Sequence, residues 1–577
     1  MLKAEAMTLT RIVAFVLIAV AIWGWQQTVF DAWIVRDQVT LSIVGTTDLH
    51  GRVFPRNRQG GLELLGGYLR NLRASRAADG GAVLLLDAGD AFQGGIESNL
   101  SEGALVVDAY NALGYNALAI GNHEFEFGAL DTIVETDAQS DTRSALKAVA
   151  ARARFPFLAA NLIDEVTGRP VEWLNVKPST IIDIAGLRVG IVGVMTRDGL
   201  TKTLAANVRG LFTVALAPTV ETEARRLRLH GADVVIALTH AGGGCERFDD
   251  PVGLTSCDGE AEVFRLAREL PRGLVDAIVA GHSHGAVAHE VAGIPVIQAY
   301  SWGRAFARLD LIVDRDVGVI SKQFFSPQFV CAAVDSDGDC VARGVNAPEY
   351  EGAPVEFDES VTRAMQPALK RVNRWRASPL GAVLQASVDR RRGELESPLG
   401  NLYADALLAS VSAGDVAIGL GARRGGLRAD LLAGPVTRGS LYDTFPFDNR
   451  VVSLTWTGSQ LRSALTRVVA RSGRGFPGVS GVRVVVTCKA MTPEVEVLRP
   501  TGEPIGHAEE LVVVTTDFFA ARASVRDASR PPMADLPSAP LVRNVVADWV
   551  VKQGRRLSIE GLFELPRWEM PDGRGCL

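Results

Sequence analysis

The sequence predicts an α/β protein of two domains, a larger layered α/β domain followed by a smaller α+β domain. Three observations carry this. Short apolar runs of strand length recur from Val39 to about Val313 and alternate with segments of helical composition, the pattern of strands joined by helical connections. A Pro-, Gly- and acid-containing stretch, Asn346 to Phe357, interrupts that pattern, and new strands come after it. Of 577 residues, 47% are hydrophobic and 22% charged, enough apolar side chains for large cores and too many for a disordered chain. The net charge of −6, with no long basic run, argues against nucleic acid as a partner.

The first element is Ile12 to Phe30, nineteen residues without a charge, preceded by Lys3 and Arg11 and followed by Asp31 and Asp37. That is near the length a helix needs to cross a bilayer. The positive flank places the bulk of the chain outside the cytoplasm. The one Ala-x-Ala within this segment, Ala19 and Ala21, lies inside the apolar block. An uncleaved membrane anchor is therefore favoured over a cleaved signal peptide, which would leave a secreted or periplasmic protein. The expected organisation is 1–38 as this segment, 39–345 as the first domain, 346–376 as a surface connection plus the helix Glu359–Arg376, and 377–577 as the second domain.

Strands of the first domain are expected at Thr40–Gly45, Ala82–Leu86, Ala117–Ile120, Arg188–Val194, Asp233–Leu238, Asp276–Ala280 and Ile294–Gln298. In the second they are expected at Arg450–Trp456, Val482–Val486 and Leu511–Thr515. The six cysteines include no C-x-x-C pair, which speaks against a structural zinc site or a redox dithiol. Pairing in sequence order, Cys245 with Cys257, Cys331 with Cys340 and Cys488 with Cys576, is one of roughly fifteen connectivities and suits an oxidising compartment. Asp335–Asp339 has some calcium-loop character but lacks the EF-hand glycine and distal Glu, and reads as a solvated acidic turn.

The chemistry lies just beyond the carboxyl ends of the strands. Thr40–Gly45 runs into Asp48-Leu49-His50-Gly51, Ala82–Leu86 into Asp87-Ala88-Gly89-Asp90, and Ala117–Ile120 into Gly121-Asn122-His123-Glu124. Asp233–Leu238 ends at Thr239-His240-Ala241-Gly242, and Asp276–Ala280 at Gly281-His282-Ser283-His284. Ligands in open α/β sheets bind outside the carboxyl ends of the strands, so these groups should converge. Five of the eight histidines belong to the set. Carboxylates that can bridge, imidazoles and a neutral Asn carbonyl together suit two divalent metal ions. Any one D-x-H or H-x-H would more often be an ordinary loop; five in order, each after a strand, are not.

These blocks resemble those of the calcineurin-like metallophosphoesterases, and the chain from about Val39 onward resembles the two-domain bacterial 5′-nucleotidase and UDP-sugar hydrolase family. Glu396–Asn401, Asp405, Gly425–Arg428, Gly434–Thr437 and Phe445–Asn449 are similar to that family's nucleotide-recognition domain. The resemblance implies a four-layer metallophosphoesterase β-sandwich flanked by helices. It also implies two metal ions of the Zn, Mn, Co or Fe type, one surrounded by Asp48, His50, Asp90 and His284, the other by Asp90, Asn122, His240 and His282. Asp90 would bridge, and two cations sharing a hydroxide would clamp a phosphoryl oxygen. The family often has Gln or Asn where His284 stands; an imidazole remains a competent ligand. His123 would face the substrate, oriented by Glu126, where the family usually has Asp.

For the substrate, the resemblance puts Phe447 and Phe518 at positions of two base-stacking rings and Arg428 at that of a phosphate-pairing arginine. A π-face tolerates several bases. Two departures stand out. Arg423 replaces an Asn, giving Arg423-Arg424-Gly425-Gly426-Leu427-Arg428, and the family's Gly-Gly-Asp-Gly after the second ring is replaced by Ala520-Ala521-Arg522-Ala523-Ser524. Loss of the Asp removes a polar partner for ribose or base, and Arg423 and Arg424 favour a phosphate-rich substrate. The expected activity is extracytoplasmic metal-dependent hydrolysis of phosphate esters, 5′-nucleotides or nucleotide sugars first. The alternatives are a thiosulfohydrolase of sulfur oxidation with the same architecture and a non-catalytic surface binding protein.

Overall fold

The computed structural model describes residues 38–571 apart from 57, 131–140, 337–338, 342–345, 391–394, 422–425, 448, 473–474, 490–491, 525–538, 555 and 558–565. The expected span Ile12–Phe30, Arg423, Arg424 and Cys576 lie outside the described residues. Among the described residues no helix is long and apolar enough to cross a membrane. The chain divides into two compact units at Leu369/Lys370.

Two sheets face each other in the first unit. One runs in the order Gly318–Phe324, Ala305–Asp314, Gln38–Thr46, Ala82–Asp87, Ala117–Ala119, Phe157–Leu158, Val176–Lys177, and Gln328–Phe329 also pairs with Ala305–Asp314. The other runs Ala286–Val291, Ile294–Ala299, Ala277–Ala280, Val234–His240, Leu187–Met195, Ser179–Ile184. Side chains of a strand alternate between faces, and the sequence uses both faces. Leu41, Ile43, Leu84 and Leu86 meet Val189, Ile191, Ile236 and Leu238 in a core between the sheets. The alternate residues Val83 and Leu85 join Leu65, Leu69 and Leu72 of the helix Leu62–Asp79 on one outer face. Val235 and Ala237 join Leu216, Val220, Ala224 and Leu227 of the helix Leu216–Leu229 on the other. Those helical positions recur every three or four residues, one stripe of a 3.6-residue period. The result is helix, sheet, sheet, helix, and burial on both faces is why the strands read as unbroken apolar runs.

Within the first sheet Gln38–Thr46, Ala82–Asp87 and Ala117–Ala119 are mutually parallel. In the second, Leu187–Met195, Val234–His240, Ala277–Ala280 and Ile294–Ala299 are parallel in turn. Parallel pairing requires crossover connections and so gathers the carboxyl ends of each sheet's strands at one edge.

The expected surface connection Asn346–Phe357 is more structured than its composition suggests. Glu349–Tyr350 and Ala353–Pro354 pair as a hairpin, and Asn71 Nδ2 donates to the carbonyls of Tyr350, Ala353 and Pro354. Tyr350 packs against Phe306 and Tyr68, so one side-chain amide and one aromatic side chain fix a Pro/Gly-rich segment onto the first unit. The helix Glu359–Ala377 follows.

The second unit holds a four-stranded sheet (Val451–Thr457, Glu510–Thr516, Val416–Ile418, Val479–Ser480) and two three-stranded sheets. Its helix Pro398–Ala409 starts where Ser397 accepts the Gly400 N–H at 2.9 Å, with Pro at the first turn, a strong helix start. Asp405 takes both guanidinium nitrogens of Arg567, at 2.7 and 2.9 Å, and the Ser480 hydroxyl at 2.6 Å. Ser397 and Asp405, part of the family-like stretch, thus serve this unit's own architecture. In place of Gly-Gly-Asp-Gly, an uninterrupted helix Asp517–Ser524 runs on from the strand Glu510–Thr516. Cys245–Cys257 and Cys331–Cys340 are disulfides, and Cys488 is disulfide-bonded as well.

Candidate metal centre

All seven expected ligands lie in the first unit, at the carboxyl ends of parallel strands: His240 is the last residue of its strand and the other six lie in the loops beyond. Asp48, His50 and His284 bring their donor atoms within 4.8 Å of one another, and so do Asp90, His240 and His282, and His50, Asp90 and His123. Five of these residues have left-handed backbones: Asp48 (φ 51°), His50 (50°), Asp90 (57°), His282 (76°) and His284 (59°). A single non-glycine residue there is uncommon; five together need support. Hydrogen bonds within the site provide it. Asp48 N donates to Gly89 O at 2.9 Å, His50 N to Asp90 O at 3.0 Å, Asp90 N to Glu124 Oε2 at 2.9 Å and His282 N to Asp48 Oδ2 at 2.9 Å.

Glycine makes room for this. A Cβ on Gly121 would lie 2.3 Å from Asp90 Oδ1, and one on Gly89, itself at φ 95°, 2.7 Å from the Ala119 carbonyl. Buried Glu124 takes three backbone N–H groups, from Asp90 and Ala91 at 2.9 and 2.7 Å and from Gly121 at 2.7 Å. It therefore ties the second loop to the third. Nothing in the Gly121-Asn122-His123-Glu124 block signals that role.

Tautomers follow from the partners. His50 Nδ1 lies 2.9 Å from Gln93 O and His240 Nδ1 2.8 Å from Ala88 O. A carbonyl only accepts, so in each neutral ring the proton sits on Nδ1 and Nε2 presents a lone pair. His50 Nε2 meets His284 Nε2 at 3.1 Å. His240 Nε2 meets Asp90 Oδ2 at 3.1 Å, His282 Nδ1 at 3.1 Å and Asn122 Oδ1 at 3.3 Å. Asp48 Oδ2 accepts from Thr47 Oγ1 and His282 N, while its Oδ1 is buried with no hydrogen-bond donor among the described residues and lies 3.4 Å from His284 Nε2. Converging lone pairs and an orphaned carboxylate oxygen are a donor set for cations, and the mixed imidazole and carboxylate chemistry fits borderline divalent metals.

The electrostatics agree. Burial opposes charge on His240, yet Asp90 outweighs it and lifts the imidazole pKa to about 10. A proton held there does what a cation would do. Burial, His240 and Lys202 push His282 down to about 4, and burial lowers His50.

His123 shares a cluster with His50 and Asp90 but differs from the other imidazoles in having a carboxylate partner of its own. Its Nδ1 lies 2.7 Å from Glu126 Oε1 and its Nε2 4.0 Å from Asp90 Oδ2, with 29% of the side chain exposed. Burial disfavours its charged form, but the Glu126 bond and the Asp90 charge lift its pKa to about 9. Lys202, not expected from the sequence, ends a 3-10 turn and brings Nζ to 2.9 Å from His282 Nε2. No spacing in the sequence signals it. In the second unit the Arg428 guanidinium lies 4.9 Å over the Phe447 ring. Phe447 is partly buried against Phe445 and that unit's core, and Phe518 is half exposed.

Comparison with known proteins places this arrangement. Residues 41–286 match the calcineurin-like phosphoesterases and residues 379–525 the 5′-nucleotidase C-terminal domain. The chain is 28% identical over 499 residues to a 5′-nucleotidase of Diplobatis ommata, covering 78% of this chain and 75% of that protein. It is 26% identical over 520 residues to the UshA protein of Yersinia enterocolitica, covering 85% and 86%. The fold resembles the 5′-nucleotidase precursor of Thermus thermophilus, with a TM-score of 0.55 at 23% identity over 92% of this chain and 99% of that one. The chain belongs to the 5′-nucleotidase and UDP-sugar hydrolase family, a calcineurin-like phosphoesterase domain followed by a 5′-nucleotidase C-terminal domain, and is a hydrolase of phosphate esters.

Proposed function

We propose that the chain hydrolyses 5′-nucleotides or nucleotide sugars outside the cytoplasm. Asp48, His50, Asp90 and His284 would hold one divalent metal and Asp90, Asn122, His240 and His282 a second. The observation that carries this reading is the pair of lone-pair clusters around Asp48 and Asp90. Bound cations would supply water activation and neutralise charge on phosphoryl oxygens.

The chain's own residues do the rest. His123 Nδ1 is held by Glu126, so Nε2 is directed to the substrate, either to stabilise charge developing on the phosphoryl group or to give its proton to the leaving oxygen. The His50 and His240 bonds to Gln93 and Ala88 keep both rings from turning. Phe447 and Phe518 would stack the base and Arg428 pair with phosphate, with Arg423 and Arg424 adding positive charge. The helix Asp517–Ser524 offers no counterpart to the missing Asp, which supports relaxed base preference. The disulfides support an oxidising compartment.

The test is hydrolysis of AMP, ADP, UDP-glucose and p-nitrophenyl phosphate by chelated and metal-reconstituted protein. Activity should return only with metal and fall by at least about 100-fold in His123→Ala, the scale of lost acid–base assistance. Full activity in Asp90→Asn protein overturns the reading.

A further inference from the structure

Beside His284 lies a feature that the metal chemistry does not use. The Trp302 ring meets the His284 ring edge-on at 5.9 Å and is 37% exposed. The Arg52 guanidinium lies 4.4 Å from its centroid and that of Arg304 5.4 Å; Arg304 also lies 5.1 Å over Tyr300. The charges that bear on Arg52 are Arg56 and Arg304, both positive. Among the described residues neither Arg52 nor Arg304 has a carboxylate partner, and cations gathered in this way repel one another and are costly unless an anion joins them.

The backbone is strained to place them. Tyr300 and Trp302 have left-handed conformations, φ 47° and 66°, unfavourable for bulky side chains. Trp302 N donates to Asp48 O at 2.7 Å, so the indole is fixed to the loop that carries Asp48 and His50. Strain of this kind concentrates at functional sites. Arg304 Nε donates to Ser301 O at 3.3 Å, which leaves its two terminal nitrogens to face outward in the plane of the stacked guanidinium, and two parallel N–H bonds match a phosphate edge.

We propose that Arg52 and Arg304, steadied by Trp302, form a subsite for a second phosphoryl group of the substrate, next to the group that is hydrolysed. This rests on the metal-site reading of the neighbouring cluster. It gives the first unit its own preference for diphosphate-bearing substrates, independent of base recognition by the second unit.

The test compares the affinities of metal-loaded full-length protein for methylenediphosphonate and methylphosphonate by calorimetry, in wild type, Arg304→Ala and Trp302→Ala. A charge-assisted bond to phosphate is lost with Arg304, so the ratio of the two affinities should fall by about ten-fold. Trp302→Ala should lower the same ratio by a smaller factor. An unchanged ratio in Arg304→Ala, whether both affinities fall together or neither does, overturns the subsite, as does wild-type protein that binds neither ligand. A ratio that falls in Arg304→Ala, in a protein whose wild type hydrolyses none of AMP, ADP, UDP-glucose and p-nitrophenyl phosphate, refutes the catalytic reading and leaves the subsite standing.

Discussion

Replacing Glu126 by Gln keeps an oxygen beside His123 while removing the charge. In the folded protein His123 is raised from 6.5 to about 9 against the opposing effect of burial, first through the Glu126 bond and then through Asp90. At roughly 1.4 kcal/mol per unit, and with 29% of the side chain exposed, protonated His123 contributes about 2–3 kcal/mol to folding. The pKa is raised on folding, so that contribution is complete below 6.5 and is lost as pH rises through about 9. A neutral acceptor gives about half the strength of a charge-assisted bond, so Glu126→Gln should cost about 1–1.5 kcal/mol and move the imidazole down by about one unit. The assay is an NMR titration of the histidines in metal-stripped protein, with His123 assigned from His123→Ala. Unfolding free energies at pH 6 and pH 10 give a second reading. The variant should lose about 1 kcal/mol less than wild type between them. A His123 midpoint that stays put in Glu126→Gln refutes the claim that this carboxylate sets the imidazole's charge.

Three further outcomes are expected. Divalent metal at about a hundred times its Kd should stabilise the protein by roughly 2.7 kcal/mol per site; scanning calorimetry should show this stabilisation removed by chelator and most of it lost in Asp90→Asn. Glu124→Ala strips the acceptor from three backbone N–H groups, each worth about 1–3 kcal/mol when buried unpaired. Urea unfolding should therefore show at least about 3 kcal/mol of destabilisation, with metal content falling. Burial raises Asp87 from 3.8 to about 7 despite its bonds from Thr46, Gly89 and Tyr110. The folded state thus keeps a proton that the unfolded chain has released. Stability of metal-stripped protein should decline from pH 4 to pH 7, by up to about 4 kcal/mol, and Asp87→Asn should flatten that slope.

What could be read from the sequence was what burial writes into it. A strand covered on both faces must be apolar throughout, so Gln38–Thr46, Ala82–Asp87 and Val234–His240 showed themselves, and the convergence of the expected ligands followed because parallel strands end together. Phe157–Leu158 and Val176–Lys177 are too short for any period to appear. The hairpin at Glu349–Pro354 was hidden because its anchors, Asn71 and Phe306, are distant in sequence. Lys202, Arg52, Trp302 and Arg304 reach the site through turns, whose side chains carry no periodic signal. Glu124 stood in plain view, but a carboxylate that binds only backbone N–H groups looks in sequence like any other acid.

Five left-handed residues cost roughly 1–2 kcal/mol each, of order 5–10 kcal/mol for the site before any metal binds. Four of them give their N–H to partners in the same cluster, on Gly89, Asp90, Glu124 and Asp48, so each loop is held in its strained form by the next. That mutual support is confined to the first unit. The donor geometry is therefore set by backbone that the second unit's sequence does not supply, so the departures at Arg423 and after Phe519 leave the expected ligands untouched. Departure from the family pattern in the second unit and an intact set of expected ligands in the first are thus compatible: on the proposed reading, selection on substrate would act on the second unit, and on cations such as Arg304, while hydrolytic chemistry stays as it is.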